Sequence, residues 1–158
     1  MKISLARMTL IIMAVCASSS VRSTTAPFTL TLEPGENAVK PGSELKVYVT
    51  LRNSSNRAIY MSVGSGYVDY AIEVHDSRGR PAPDTDFARK LKERAYYSSD
   101  SVFTLQPGES LPKTPLIVTK FYDLSRPGKY LIQTNRAIPK ELGGGVVKSN
   151  FITITVTN

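Results

Sequence analysis

The sequence predicts an all-β domain, an antiparallel β-sandwich of about eight strands with one short helix in a long loop. Three observations predict it. From Leu45 to Arg52, apolar and polar residues alternate strictly: Leu45, Val47, Val49 and Leu51 on one side, Lys46, Tyr48, Thr50 and Arg52 on the other. Period-2 alternation means a strand with one face buried and one wet. Short apolar segments then recur at even spacing between turn residues, as sandwich strands do. Finally, a Pro-Gly dipeptide occurs at Pro34, Pro41, Pro107 and Pro127, each time beside a strand candidate. Proline presets φ there, and glycine supplies the positive φ of a type II turn.

Phe28 to Leu32 alternates and stops at Pro34-Gly35. The strand after Pro41-Gly42 closes in the polar turn Asn53-Ser54-Ser55-Asn56-Arg57. Ala58 to Val63 follows and is broken by Gly64-Ser65-Gly66. Tyr70 to His75 ends at Asp76-Ser77-Arg78-Gly79. Val102 to Leu105, Leu116 to Phe121, Tyr130 to Thr134 and Phe151 to Thr157 complete the set. The expected core is Leu45, Val47, Val49, Leu51, Ile72, Val74, Tyr130, Ile132, Ile152, Ile154 and Val156. Gly128 stands two residues before Tyr130, the spacing of a tyrosine corner. The phenol at such a corner bonds back to upstream backbone and pins the crossover.

Residues 1–23 have the order of a secretory signal peptide: Lys2 and Arg7, a mostly apolar run from Met8 to Ala17, then small residues to Ser20. The run is shorter than the ~20 residues of a membrane span, so no transmembrane helix is expected in the mature form. Residues 24–158 are then one domain, exported to the periplasm or secreted. The single cysteine, Cys16, lies in the leader. Ala17-Ser18-Ser19 suits lipid attachment there, but Val15 stands where a small residue is preferred, so the lipoprotein reading is the weaker one. Without a further cysteine, no disulfide forms despite export. A domain of roughly 130 residues can be held by its core alone. Setting aside Lys2 and Arg7 leaves 18 basic and 13 acidic residues, net +5. That suits solubility and a mild attraction to anionic surfaces, and is too dispersed for a nucleic-acid partner.

Four segments carry a resemblance: "LKVYVTLRNSSN" at Leu45 to Asn56, "DYAIEVHD" at Asp69 to Asp76, "LQPGES" at Leu105 to Ser110 and "PGKYLIQ" at Pro127 to Gln133. Their order resembles secreted bacterial immunoglobulin-like β-sandwich domains and, more narrowly, the intracellular proteinase-inhibitor type. The resemblance implies an immunoglobulin-like fold, and inhibition as one activity to weigh. The chain departs from the inhibitor type by its leader, its lack of Trp and a long charged insertion.

The catalytic inventory is short. Ser-His-Asp and Cys-His hydrolases need a histidine base. His75 is the only histidine; Glu73 shares its strand face, but no nucleophile motif accompanies them. One His and a leader Cys do not make a transition-metal site. Asp84-Thr85-Asp86 is the nearest calcium candidate, and a helix cap explains it better. Gly64-Ser65-Gly66 and Gly143-Gly144-Gly145 lack the Lys-Ser/Thr of a phosphate loop. The Asn53-Ser54-Ser55 glycosylation sequon has little meaning behind a bacterial-looking leader. No cofactor and no enzyme activity are expected.

Two loops stand out. Within Ser77 to Asp100, residues 84 to 97 predict a helix capped by Asp84, Thr85 or Asp86, with Phe87, Leu91 and Ala95 as an apolar stripe. Arg89, Lys90, Lys92 and Arg94 give it a basic side, flanked by Tyr96 and Tyr97. The second loop, Arg136 to Lys148, holds Gly143, Gly144 and Gly145 at a hairpin tip. Both readings stay open for each loop: a solvated helix or a recognition segment, a flexible tip or a place for close approach by a partner. The chain reads as a non-catalytic exported binding domain whose partner is another protein or an anionic envelope component. A peptidase inhibitor presenting a loop is the alternative, and a carboxylate-based hydrolase the remote one.

Overall fold

The computed structural model describes residues 26–92 and 101–158. The leader and Cys16 lie outside the described residues, as do Arg94, Tyr96 and Tyr97. The described part is all-β. Its strands are β1 (Phe28–Pro34), β2 (Ala38–Val39), β3 (Lys46–Asn53), β4 (Ile59–Val63), β5 (Ala71–Asp76), β6 (Ser101–Leu105), β7 (Thr114–Ile117), β8 (Gly128–Ala137), β9 (Val146–Lys148) and β10 (Ile152–Val156). Two short helices interrupt them, α1 (Gly66–Asp69) and α2 (Asp86–Lys92). The expected number of about eight strands is exceeded because β2 and β9, of two and three residues, are too short to show an alternation.

The strands form three sheets: β1-β3-β7, β2-β10-β8-β5 with β9 also on β8, and the pair β4-β6. Pairing is antiparallel except for β2, which runs parallel to β10. Leu45, Val47, Val49 and Leu51 are wholly buried, and they meet Phe28, Leu30 and Leu32 of β1 with Ile132, Ile152, Ile154 and Val156 of the second sheet in one apolar cluster. Of the expected core, Ile72 alone is only partly buried. It lies on β5, at the end of its sheet.

Turn glycines do two different jobs. Gly42 and Gly108 have φ of 77° and 81°, as the Pro-Gly turns require. Gly35 does not. Its N–H donates to Lys46 O at 2.9 Å, and an added Cβ would sit 2.8 Å from that same oxygen. Close backbone approach, not a positive φ, demands glycine there.

Two sheet edges are closed by their own chain. The Asn150 side chain accepts from Leu32 N at 2.8 Å and donates to Leu32 O at 3.0 Å, standing in for a strand beside β1. Along β5, Ala82 N donates to Val74 O, and the Tyr122 hydroxyl donates to Ile72 O. Such closure protects a sheet from pairing with another chain. Among the described residues, no helix is long and apolar enough to cross a membrane.

Candidate functional site

The expected tyrosine-corner bond forms: Tyr130 Oη donates to Arg126 O at 2.9 Å, with Tyr130 only 6% exposed. Beside this corner, residues 83–85 lie along residues 121–123. Thr85 N donates to Phe121 O, Asp123 N donates to Pro83 O, and Thr85 Oγ1 donates to Lys120 O at 2.5 Å. Thr85 Oγ1 also accepts from Ala88 N at 3.2 Å, so Thr85 caps α2. The helix is expected over 84–97; the structure has α2 over Asp86–Lys92, and residues 93–97 of the expectation lie outside the described residues.

Of the expected stripe, Leu91 is half-buried and Ala95 lies outside the described residues. Ala88 is the buried residue of α2, whereas Phe87 is 42% exposed and meets Phe121 edge-on at 5.6 Å. Phe121 stacks at a tilt on Tyr67 of α1, 4.8 Å between centroids. α1 reaches this position because Gly66 has no side chain. A Cβ there would stand 2.8 Å from side-chain carbons of both Leu116 and Thr114 on β7. Lys120 Nζ lies 5.3 Å from the Tyr67 ring centre and 5.4 Å from that of Phe87, close enough for a cation–π attraction to each.

The Tyr67 and Phe121 rings border a cleft of about 270 Å³, lined among the described residues also by Tyr70, Ile72, Ala88 and Leu91, together with Asp84 and Tyr122. Two more depressions continue from it. One of about 480 Å³ shares the walls Asp84 and Tyr122 with the cleft. A groove of about 470 Å³ shares Pro83 and Asp123 with that depression and carries Arg78, Arg80, Arg126 and Lys129. The furrow thus runs from an aromatic end to a basic end along one side of the fold.

The sequence-predicted site residues fare differently. Arg89 is an internal partner: its guanidinium pairs with Asp86 and donates to Asp84 O at 2.7 Å. Lys90 is exposed. Lys92 ends α2, and nothing is described of its side chain. Arg136 corrects the second loop. It is expected to open that loop as a partner-binding residue, yet it lies in β8 with 7% exposure. Tyr130, Ile132, Thr134 and Arg136 share one strand face, and that face points inward. There the Arg136 guanidinium lies 5.1 Å from the Tyr70 ring centre and 3.7 Å from the Asp69 carboxylate, and donates to Ser62 O. Gly143, Gly144 and Gly145 do form the tip, at φ of 111°, 69° and 100°. It is a hydrogen-bonded turn: Gly144 N donates to Pro139 O, and Ile138 N to Gly145 O.

Glu73 does not orient His75. Its carboxylate accepts from Asn135 Nδ2 at 2.8 Å and lies 3.6 Å from Lys148 Nζ. Of the three expected caps of α2, Thr85 makes the cap bond, and Asp86 pairs with Arg89. Tyr67, Phe121 and Tyr122 were not singled out from the sequence. Tyr67 lies in α1 and the adjacent Phe121 and Tyr122 lie more than fifty residues on, and no local pattern links the two segments.

No family model matches the chain, and neither does any curated protein. Among solved structures, the sporulation control protein Spo0M of Bacillus subtilis, a β-rich fold, is similar with a TM-score of 0.47 at 15% sequence identity. The match covers 85% of this chain and 51% of that one, so the chain spans about half the length of Spo0M.

Proposed function

We propose that this chain is a non-catalytic exported binding domain on an immunoglobulin-like sandwich scaffold, which seats one apolar side chain of an acidic protein segment in the cleft between α1, β5 and α2. The observation that carries this reading is the cleft walled by the rings of Tyr67, Tyr70 and Phe121, with Lys120 over the Tyr67 ring and the partly exposed Phe87 against Phe121. Small-molecule pockets run to roughly 300–1,000 Å³, and this one, at about 270 Å³, is sized for a single side chain. Burying one large apolar side chain is worth about 1.5–3 kcal/mol, enough for an anchor in a larger contact. Exposed Lys120, over the Tyr67 ring of the cleft, favours a carboxylate flanking the anchor. The shared core of the two larger sheets supports the sandwich, and the order of residues 2–20 supports export.

A peptide-display selection on the exported form tests the reading. Enriched peptides should carry an aromatic or aliphatic residue among acids. Phe87→Ala and Tyr67→Ala should each weaken the selected peptides by about tenfold in calorimetry. Peptides without an apolar residue, or affinities untouched by both substitutions, would refute it.

A further inference from the structure

The basic end of the furrow has its own construction. Two loops face each other across the groove, and each is fixed by an aspartate. Asp76 Oδ1 accepts from Arg78 N at 2.9 Å and from Arg80 N at 3.0 Å, while Asp76 Oδ2 takes the Arg80 side chain at 2.7 Å. Across the groove, Asp123 Oδ1 accepts from Ser125 N at 2.9 Å, and Tyr130 Oη holds Arg126 O. The bond from Asp123 N to Pro83 O, 2.8 Å, joins the two loops. The backbone that carries Arg78 and Arg126 is therefore fixed before anything binds. Asp76 spends its charge on Arg80. Arg78, Arg126 and Lys129 are exposed on the groove and make no ion pair within 4 Å among the described residues, with the Arg126 charge acting at longer range on Asp123.

We infer that this groove is an oxyanion site, which takes a phosphate-type group between the Arg78 loop and the Arg126–Lys129 loop. Guanidinium forks match the geometry of phosphoryl oxygens, and an ammonium adds a point charge beside them. Pre-fixed loops lower the ordering cost that usually weakens exposed charge contacts. The Asp76 and Asp123 carboxyls are held below their ordinary range, by hydrogen bonds from Arg80 and from Ser125 respectively, so the loop anchors persist into acid. The site is independent of the aromatic cleft, and either can fail alone.

The probe is inorganic pyrophosphate, titrated calorimetrically into the purified chain at low ionic strength. Saturable binding is expected, weakening as salt is raised. The triple substitution Arg78→Gln, Arg126→Gln, Lys129→Gln should reduce affinity at least about tenfold. Lys40→Gln with Lys140→Gln removes positive charge outside the groove, and a third substitution, Lys113→Gln, matches the total; this control should change affinity less than about twofold. Circular dichroism on each variant confirms folding. A parallel arm uses vesicles of phosphatidylglycerol against phosphatidylcholine. Groove-dependent binding to anionic vesicles identifies a lipid headgroup as the source, and binding to pyrophosphate alone a soluble ligand; either outcome supports the site. No saturable binding to either probe, or an equal loss in the groove variant and the control, overturns it.

Discussion

Replacing Tyr130 with Phe isolates the corner hydrogen bond. The ring stays, so no cavity opens, and only the Oη donor to Arg126 O is lost. A typical intramolecular hydrogen bond contributes about 0.5–1.5 kcal/mol net, and a stranded buried acceptor costs about 1–3 kcal/mol more. Arg126 is an exposed residue, so water can reach its carbonyl and most of the second cost falls away. The expected loss is therefore about 1–1.5 kcal/mol. Urea denaturation followed by far-ultraviolet circular dichroism measures it, with an unchanged slope against denaturant. The pH dependence gives a second reading. Burial pushes the Tyr130 phenol above its ordinary value of 10.0. A raised acid contributes stability that is present below the unfolded value and is lost as pH climbs through the folded one. Stability of the parent should fall more steeply above about pH 10 than that of Tyr130→Phe. A loss below about 0.3 kcal/mol at neutral pH, with identical alkaline limbs, would refute the corner as a structural bond.

What was legible in the sequence was whatever repeats at period 2 over enough residues. In β3 the alternation placed Leu45, Val47, Val49 and Leu51 in the core without error, and β8 and β10 behaved alike. The same parity extends to Arg136, which shares its strand face with Tyr130 and Ile132, but a charged residue past the apolar segment carries no hydrophobic signal that the strand continues. Asn53 was legible only as a turn residue. It is fully buried, and its Nδ2 donates to Leu105 O and Arg57 O, which ties the end of β3 to β4 and β6. The aromatic cleft was not legible, because Tyr67, Phe87 and Phe121 meet only through tertiary packing. The basic groove was half legible: Asp-x-Arg at Asp76 marks a turn, but nothing local says that Arg126 faces it.

The core predictions are direct: Leu51→Ala and Ile154→Ala, both at wholly buried sites, should each cost about 2–5 kcal/mol in urea denaturation. In acid, Asp76→Asn and Asp123→Asn should each flatten the pH profile. A depressed carboxyl stabilises above its unfolded value of 3.8 and loses that contribution as pH falls through the lower folded value, so parent and variants should converge as acid protonates the folded carboxyls. The last prediction concerns Arg136. Its side chain is 7% exposed and that of Asp69 is 11% exposed, so neither charge is well hydrated. Asp69 also accepts from Gly64 N at 3.0 Å, which keeps its carboxylate in place when the arginine is removed. Arg136→Ala should therefore cost about 3–5 kcal/mol, through a buried carboxylate left without its cation, an unmatched Ser62 carbonyl and a cavity. The guanidinium is itself imperfectly matched, since its Nη1 has no hydrogen-bond partner among the described residues. A neutral pair of similar volume, Arg136→Met with Asp69→Asn, should then recover more than half of the loss. The double-mutant cycle separates the charge coupling from the packing. A cost below about 1 kcal/mol for Arg136→Ala would show that the strand does not depend on this contact, and would return Arg136 to the residues available to a partner.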